Sequence, residues 1–322
     1  MKKYSKFIYI VFCLGLTTVT SCKDFLVESD PSNFTEENYF TKPEHARTSV
    51  NAVYAPLREP LTSGFGGGTW MMLEFATGLA ATDLGRAVNS YYVKNLRNTS
   101  DNGYGLAYWS NYYKGIANAN LSIAKIPAIV MDDAEKKSIL GEAYYLRAYY
   151  YFNLLRMFGH IPLVLSPVSL NSEQLRPSAA NPEDVYAAII ADLKAAEEAG
   201  LPFKDASGRV SLGAVKSLLA QVYLTMAGFP LNKGAEYYAL AASKAEEVID
   251  ANQFSLFSSY NDLHDPSKKN LEENIFMVQF KTQILPSNWQ VSIIPYNKNI
   301  SKYSDETGGI YATPEFVASY EA

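Results

Sequence analysis

The fold is decided by the stretch from Glu142 to Val164, which reads EAYYLRAYYYFNLLRMFGHIPLV. Together with the residues that precede it, from Ala134 onward, it forms one long amphipathic segment. Its apolar side chains recur at three- and four-residue steps, a spacing that places them on one face of a helix. Gly159 follows the last of them and predicts the end of the helix. This apolar face consists of Ile139, Ala143, Leu146, Tyr150, Leu154 and Phe158.

The same periodicity runs through much of the chain. Two further segments begin with a residue suited to cap a helix, Thr41 in one and Asn181 in the other, and Asn181 precedes a proline at the first helical position. The sequence therefore predicts a fold dominated by α-helices. The additional helices are expected over residues 41–57, 111–126, 181–200, 211–228 and about 234–252.

Two helix pairs share small residues and tyrosines at equivalent positions. Small residues let two helices approach closely, while an aromatic ring fills the adjacent groove. This pattern predicts tetratricopeptide-like helical hairpins that stack into a curved scaffold. Any amphipathic pair rich in Ala, Leu and Tyr would align comparably, so a helical array without a true repeat is the alternative. The matched positions are Ala148 with Ala220, Leu146 with Leu218, Tyr151 with Tyr223 and, in the partner helices, Tyr186 with Tyr238.

Two long stretches lack helical periodicity. Residues 61–110 and 253–322 are rich in Gly, Asn, Ser, Tyr and Trp. We expect them to form long irregular loops on the helical scaffold, with minor β pieces such as NIFMVQF at residues 274–280. Ordered loops of this length are usually functional.

The N-terminus predicts export and lipid attachment. Three lysines precede an apolar run of about ten residues, too short to span a bilayer, which needs roughly 20. Small residues then lead to Cys22, and the sequence VTSC resembles a bacterial lipobox, in which the cysteine accepts lipid after cleavage. The alternative is an ordinary signal peptide with a coincidental cysteine. Residues 1–21 are thus predicted to be a signal peptide and residues 22–40 a polar tether.

Charge and cysteine content limit the possible partners. The net charge of −5 becomes −8 when the three lysines of residues 1–21 are removed, and no basic cluster remains. A nucleic-acid partner is therefore not expected. The other cysteine, Cys13, lies in the predicted signal peptide, so the mature chain would have no disulfide and would rely on its hydrophobic core.

No catalytic or metal-binding pattern stands out. The histidines His45, His160 and His264 are not at metal-ligand spacing, and the HExxH and GxSxG motifs are absent. We therefore expect no metal, no cofactor and no enzymatic activity. A glycosidase is the alternative, because two carboxylates such as those of Glu74 and Asp83 could face each other across a pocket without forming a recognisable sequence motif.

The loops offer candidate ligand-binding residues. An aromatic ring can pack on the apolar C–H face of a sugar, while charged or amide side chains hydrogen-bond to its hydroxyls. Loop aromatics interleaved with polar residues supply both functions. Further loop aromatics are Tyr92, Tyr104, Tyr108, Trp109 and Tyr303. The candidates are Trp70, Asp83, Arg86, Tyr91, Trp289 and Tyr296.

Several segments together resemble the SusD/RagB family of outer-membrane nutrient-binding lipoproteins of the Bacteroidetes type. The resemblance covers residues 22–322. It departs at His160, where an acidic residue often precedes Ile-Pro, and at the C-terminal TPEFVASYEA, beyond which family members generally continue. We therefore interpret the chain as truncated or as a fragment. The matching segments are SCKDFL, ATDLG, EAYYLRAYYYFNLLRMFGHIPLV, NPEDVYAAIIADLKAAEEAGLP, GAVKSLLAQVYLTMAG and ENIFMVQF.

The resemblance implies a cell-surface lipoprotein that binds an oligosaccharide without cleaving it. It further implies delivery to a SusC-like TonB-dependent transporter in the outer membrane, with Cys22 as the lipidation site. Residues 41–252 would form the helical repeat region, and residues 253–322 the start of an incomplete loop-rich C-terminal region. A peptide-binding protein on the same scaffold and a protein-interaction module without a small ligand are further alternatives.

Overall fold

The structure is a computed structural model that describes residues 39–62, 69–82, 88–169, 175–281, 284–287, 289–301 and 306–320. The predicted signal peptide, Cys22 and most of the predicted tether lie outside the described residues, as do Asp83, Arg86 and Tyr303. Lys42–Ala322 form one compact unit, and residues 39–41 belong to a separate unit with the preceding chain.

Helices dominate the described residues, which confirms the predicted fold class. Short 3₁₀ turns occupy Ala55–Arg58, Ile126–Ala128 and Pro266–Lys268. Two strands of two residues each, β1 (Ala80–Ala81) and β2 (Tyr311–Ala312), pair in an antiparallel manner. The α-helices are α1 (Pro43–Tyr54), α2 (Glu59–Thr62), α3 (Met71–Ala76), α4 (Val88–Lys94), α5 (Gly103–Lys125), α6 (Asp133–Phe158), α7 (Pro182–Glu197), α8 (Leu212–Ala227), α9 (Ala235–Asp250), α10 (Tyr260–Leu263), α11 (Trp289–Ile293) and α12 (Pro314–Ala318).

Side-chain caps fix three of the long helices, α6, α7 and α8, where the sequence predicts them. The Asp132 carboxylate accepts a hydrogen bond from the Glu135 amide at 2.8 Å, and α6 ends at Gly159, whose φ of 72° suits glycine. Asn181 caps α7 as predicted. The expectation for Thr41 is wrong, because α1 begins at Pro43 and has no side-chain cap.

The long helices pack in chain order around one core. α1 packs on α5 and α6, and each helix from α5 to α9 packs on the next. As predicted, α6 contacts α7 and α8 contacts α9. Burial raises the pKa of Tyr150, so its hydroxyl stays protonated and donates to the Val53 carbonyl at 2.6 Å. That bond ties α1 to the middle of α6.

The two helix pairs differ in how deeply they are buried. Tyr186 on α7 is buried, whereas the matched Tyr238 on α9 is 49% exposed. The reason is position, because α7 lies between α6 and α8 while the main packing partner of α9 is α8. The two helix pairs are therefore more alike in sequence than in the burial of their matched residues.

One buried ion pair joins three helices. Arg147 on α6 donates from Nε and Nη2 to the two oxygens of Asp192 on α7, at 2.8 and 2.7 Å. Its Nη1 donates to the Asn120 side chain on α5 at 2.7 Å and to the Leu165 carbonyl at 3.1 Å. The guanidinium thereby meets a full set of acceptors in a place from which water is excluded.

The stretch 61–110 contains more helix than predicted. It contains α3, α4 and the start of α5, so the expectation of one long loop is wrong. Tyr104 and Tyr108 lie on α5 and are buried, and Trp109, also on α5, packs against Phe158. Tyr104 and Tyr108 are therefore core residues, and Trp109 is half-buried against the core. The NIFMVQF piece also differs from expectation, because none of its described residues forms a strand.

Candidate functional site

The strand pair connects two distant parts of the chain. Ala80 pairs with Ala312 and Ala81 with Tyr311. The Thr313 amide donates to the Leu79 carbonyl at 2.9 Å and extends the pairing by one bond. Because β1 follows α3 and β2 follows α11 in the chain, the pairing connects the segments that contain Trp70 and Trp289.

A small hydrophobic cluster supports this region. It is made of buried side chains from α3, β1, α4, α5 and the residue before β2, and it is distinct from the main helical core. Tyr104 belongs to it, and its hydroxyl shares a hydrogen bond with Ser90 at 2.8 Å. The cluster gives short elements a fixed base that they could not provide alone. Its members are Met71, Phe75, Ala80, Val93, Tyr104 and Ile310.

Two of the predicted ligand-binding aromatics lie next to each other on this base. The ring centroids of Trp70 and Trp289 are 6.3 Å apart, with 51° between the ring planes. Trp70 is half-buried against the cluster, and its amide donates to the Pro60 carbonyl at 3.1 Å. Trp289 is 47% exposed. The pair thus presents indole surface to solvent from a supported position.

The other predicted site residues are less closely connected. Tyr91 lies on α4, and its ring contacts that of Tyr92, 6.1 Å away. Tyr296 follows α11 and is 56% exposed. Asp83 and Arg86 are outside the described residues. Tyr311, which is 45% exposed on β2, was missed from the sequence because no pattern distinguishes it from a buried tyrosine.

The loop after Tyr296 is held by one carboxylate. Glu306 accepts hydrogen bonds from four consecutive amides, those of residues 298–301, including 2.7 Å bonds from Asn299 and Ser301. Asn297 and Asn299 have positive φ, a conformation that asparagine adopts more readily than most residues. Backbone hydrogen bonds, led by that from Ser301, hold the pKa of Glu306 below its ordinary value.

We expect Glu306→Gln to loosen this loop at neutral pH. The folded-state pKa is lowered, so the stabilisation is present above the ordinary glutamate pKa and is lost as the pH falls through the folded value. Hydrogen exchange of amides 298–301 should therefore be faster in the variant than in the wild type. Glu315→Gln is the control, since Glu315 lies in the first turn of α12 and accepts none of these bonds. Equal protection in all three proteins would contradict this role for Glu306.

The described residues contain neither a candidate metal-ligand cluster nor a candidate membrane-spanning helix. Within that part of the chain, no group of three His, Cys, Asp or Glu side chains is placed to hold a metal ion. None of its helices combines the length and apolar character needed to traverse a bilayer.

Comparison with known proteins places these features in a family context. Residues 69–224 match the SusD-like family model described as "Starch-binding associating with outer membrane". The chain is 30% identical over 296 residues to SusD-like protein P2 of Formosa agariphila, and the match covers 90% of this chain and 55% of that protein. This chain therefore spans about half the length of the curated relatives it matches.

Solved structures show the same architecture. A SusD superfamily protein from Parabacteroides distasonis superposes with a TM-score of 0.82 at 35% identity, over 90% of this chain and 60% of that one. A laminarin-binding SusD-like protein superposes with a TM-score of 0.74 at 24% identity, over 85% of this chain and 63% of that one. At that lower identity the similarity establishes the fold alone.

Proposed function

Because this chain belongs to the SusD/RagB family, we propose that it binds an oligosaccharide at the Trp70–Trp289 pair and does not cleave it. The observation that carries the proposal is the supported, half-exposed indole pair. Aromatic rings that are already immobilised lose little conformational entropy when a ligand packs on them. The family description, which names starch binding, supports a glycan as the ligand class.

The geometry suits a sugar ring better than a flat apolar ligand. With 51° between the ring planes, the two indoles form an angled surface and not a slot for one planar group. A curved sugar chain can place one ring on each indole. Asp83 follows the described Thr82 after β1 and, with Arg86, is proposed to hydrogen-bond to the sugar hydroxyls.

We further propose that Cys22 carries the lipid anchor and that the bound glycan is handed to a SusC-like TonB-dependent transporter. The VTSC sequence and the family description of outer-membrane association support this part of the proposal. Two or more acyl chains hold a protein stably at a membrane. Mass spectrometry of the membrane fraction tests the anchor, and an unmodified Cys22 there would reject it.

The binding proposal predicts a large effect for Trp289→Ala. Removing a central aromatic contact typically costs about 2 kcal/mol of binding free energy, which corresponds to a roughly 30-fold weaker Kd. A glycan array on the lipid-free protein would select the ligand, and calorimetry would measure the change. Trp289→Phe should retain part of the affinity because it keeps a ring.

Tyr260→Ala is the matched control. Tyr260 is an exposed aromatic on α10 that contacts His264, not the tryptophan pair. It should leave the affinity unchanged. Equal affinity of Trp289→Ala and the wild type would reject the tryptophan site. Release of new reducing ends by the purified protein would instead indicate a glycosidase.

A further inference from the structure

A second concave site lies in the helical region. It is a groove of about 410 Å³, within the range of about 300–1,000 Å³ typical of ligand pockets. One wall comes from the end of α1 and the following 3₁₀ turn, another from the turn at residues 207–209, and a third from residues 276–279. Neither Trp70 nor Trp289 lines it, so it is distinct from the proposed glycan site.

The wall at residues 276–279 has unused backbone groups. From Ile275 to Gln279, no amide or carbonyl forms a hydrogen bond with any described residue. Side chains fix the segment instead: Phe276 and Val278 pack against the main core, and the Phe276 ring lies 5.4 Å from that of Tyr145. The sequence IFMVQ is rich in residues that favour strands. The segment is thus immobilised while its backbone stays free to pair.

The opposite wall is rigid and positively charged. The Tyr54 hydroxyl donates to the buried Glu142 carboxylate at 2.6 Å and accepts from the Val210 amide at 2.9 Å. The Arg209 guanidinium lies 4.7 Å from the Tyr54 ring centroid and donates to Glu142 at 2.7 Å. These contacts hold this wall of the groove in place before any ligand binds.

Among the described residues that line this groove, Arg58 is the charged side chain without an ion-pair partner. Its guanidinium forms no hydrogen bond or ion pair with the described residues, whereas Arg209 is ion-paired with Glu142, a carboxylate that it shares with Arg47. None of the described residues that line the groove is acidic. A ligand carboxylate would therefore find an uncompensated partner here, and a bidentate arginine contact would orient it.

We propose that this groove binds an extended acidic segment of a partner protein by β-strand addition. The backbone of the segment pairs with residues 277–279, and its acidic side chain pairs with Arg58. In strand addition, main-chain bonds supply affinity and side-chain contacts supply selectivity. A row of free backbone groups favours a polypeptide over a sugar. A second copy of this chain joined groove to groove is disfavoured, since that contact would bring another unpaired arginine.

A synthetic strand peptide tests the proposal. The probe is a capped, fluorescent peptide of alternating valine and threonine with one central glutamate, and anisotropy reports its binding to the full chain. Methylating two amides on the pairing edge removes two backbone hydrogen bonds and should weaken binding at least tenfold. Hydrogen exchange should show the peptide protecting amides within 277–279. Equal binding of the methylated peptide would overturn strand addition.

Arg58→Ala tests the charge contact. We expect roughly tenfold weaker binding of the glutamate peptide and little change for a glutamine version of it. Arg97→Ala is the control, because Arg97 is exposed and does not line the groove. If the alanine variant unfolds, Arg58→Gln replaces it as the variant that removes the charge. Equal affinity of wild type and Arg58 variants, or protection of 277–279 by self-association without peptide, would overturn the proposal.

Discussion

Asp192→Asn should lower the free energy of unfolding by about 3–5 kcal/mol, the cost typical of breaking a buried ion pair by removing one partner. Both charged side chains are less than one-tenth exposed, at 7% for Arg147 and 8% for Asp192. An asparagine would present only one oxygen to the guanidinium fork and would leave the buried positive charge uncompensated. Chemical denaturation of the full chain, followed by circular dichroism, measures the change.

Two further variants distinguish this explanation from a general effect of the substitution. Asp184→Asn changes an exposed aspartate on the first turn of the same helix and should cost only a few tenths of a kcal/mol. Replacing both partners, Arg147→Met with Asp192→Leu, should cost less than Asp192→Asn alone, because no charge then stays buried. A loss below about 1 kcal/mol for Asp192→Asn would contradict the assigned role.

Gly115→Ala should destabilise the protein by about 1–3 kcal/mol, as overpacking of a dense core usually does. Gly115 lies on α5 at its crossing with α6, where an added Cβ would come within 2.7 and 2.9 Å of the Cδ2 and Cζ atoms of Tyr150. The Tyr150 ring is fully buried, and its hydroxyl is bonded to the Val53 carbonyl, so it cannot move aside. Thermal or chemical denaturation gives the measurement.

The same helix provides a matched control in Gly105→Ala. There the nearest heavy atom to an added Cβ is Cε1 of Phe158, at an ordinary contact distance of 3.9 Å. Alanine is a better helix former than glycine by up to about 1 kcal/mol, so this variant should be neutral or slightly more stable. If the two variants behaved alike, the close crossing at Gly115 would not be the cause.

Local signals in the sequence were sufficient for most of the long helices, although α5 begins at Gly103, eight residues before its predicted start at residue 111. The stripe from Ile139 to Phe158, the cap at Asn181 and the stop at Gly159 all act within a few residues of each other. Such signals are readable because a helix of this length gains much of its stability from one continuous apolar face. Three of the six segments that carried the family resemblance lie in these helices, and the comparisons bear the resemblance out.

Short elements were not predictable in the same way. α3 has six residues and α4 has seven, too few for an isolated helix to be stable in water. They form because Phe75 and Val93 pack with Ile310, a residue far along the chain. For the same reason Tyr104 and Tyr108, which read as loop aromatics, are core residues on α5.

By itself, then, the sequence determined the helical class, the positions of the long helices apart from the first eight residues of α5, and a set of aromatic residues that includes Trp70 and Trp289. Tertiary structure alone decided that Trp70 meets Trp289, that Arg58 faces an unpaired backbone segment, and that Tyr186 is buried while Tyr238 is not. The physical reason is the sequence separation over which the interactions act. Helix periodicity and capping act between residues a few positions apart, whereas these placements depend on contacts between segments that only the packed core and the β1–β2 pairing bring together.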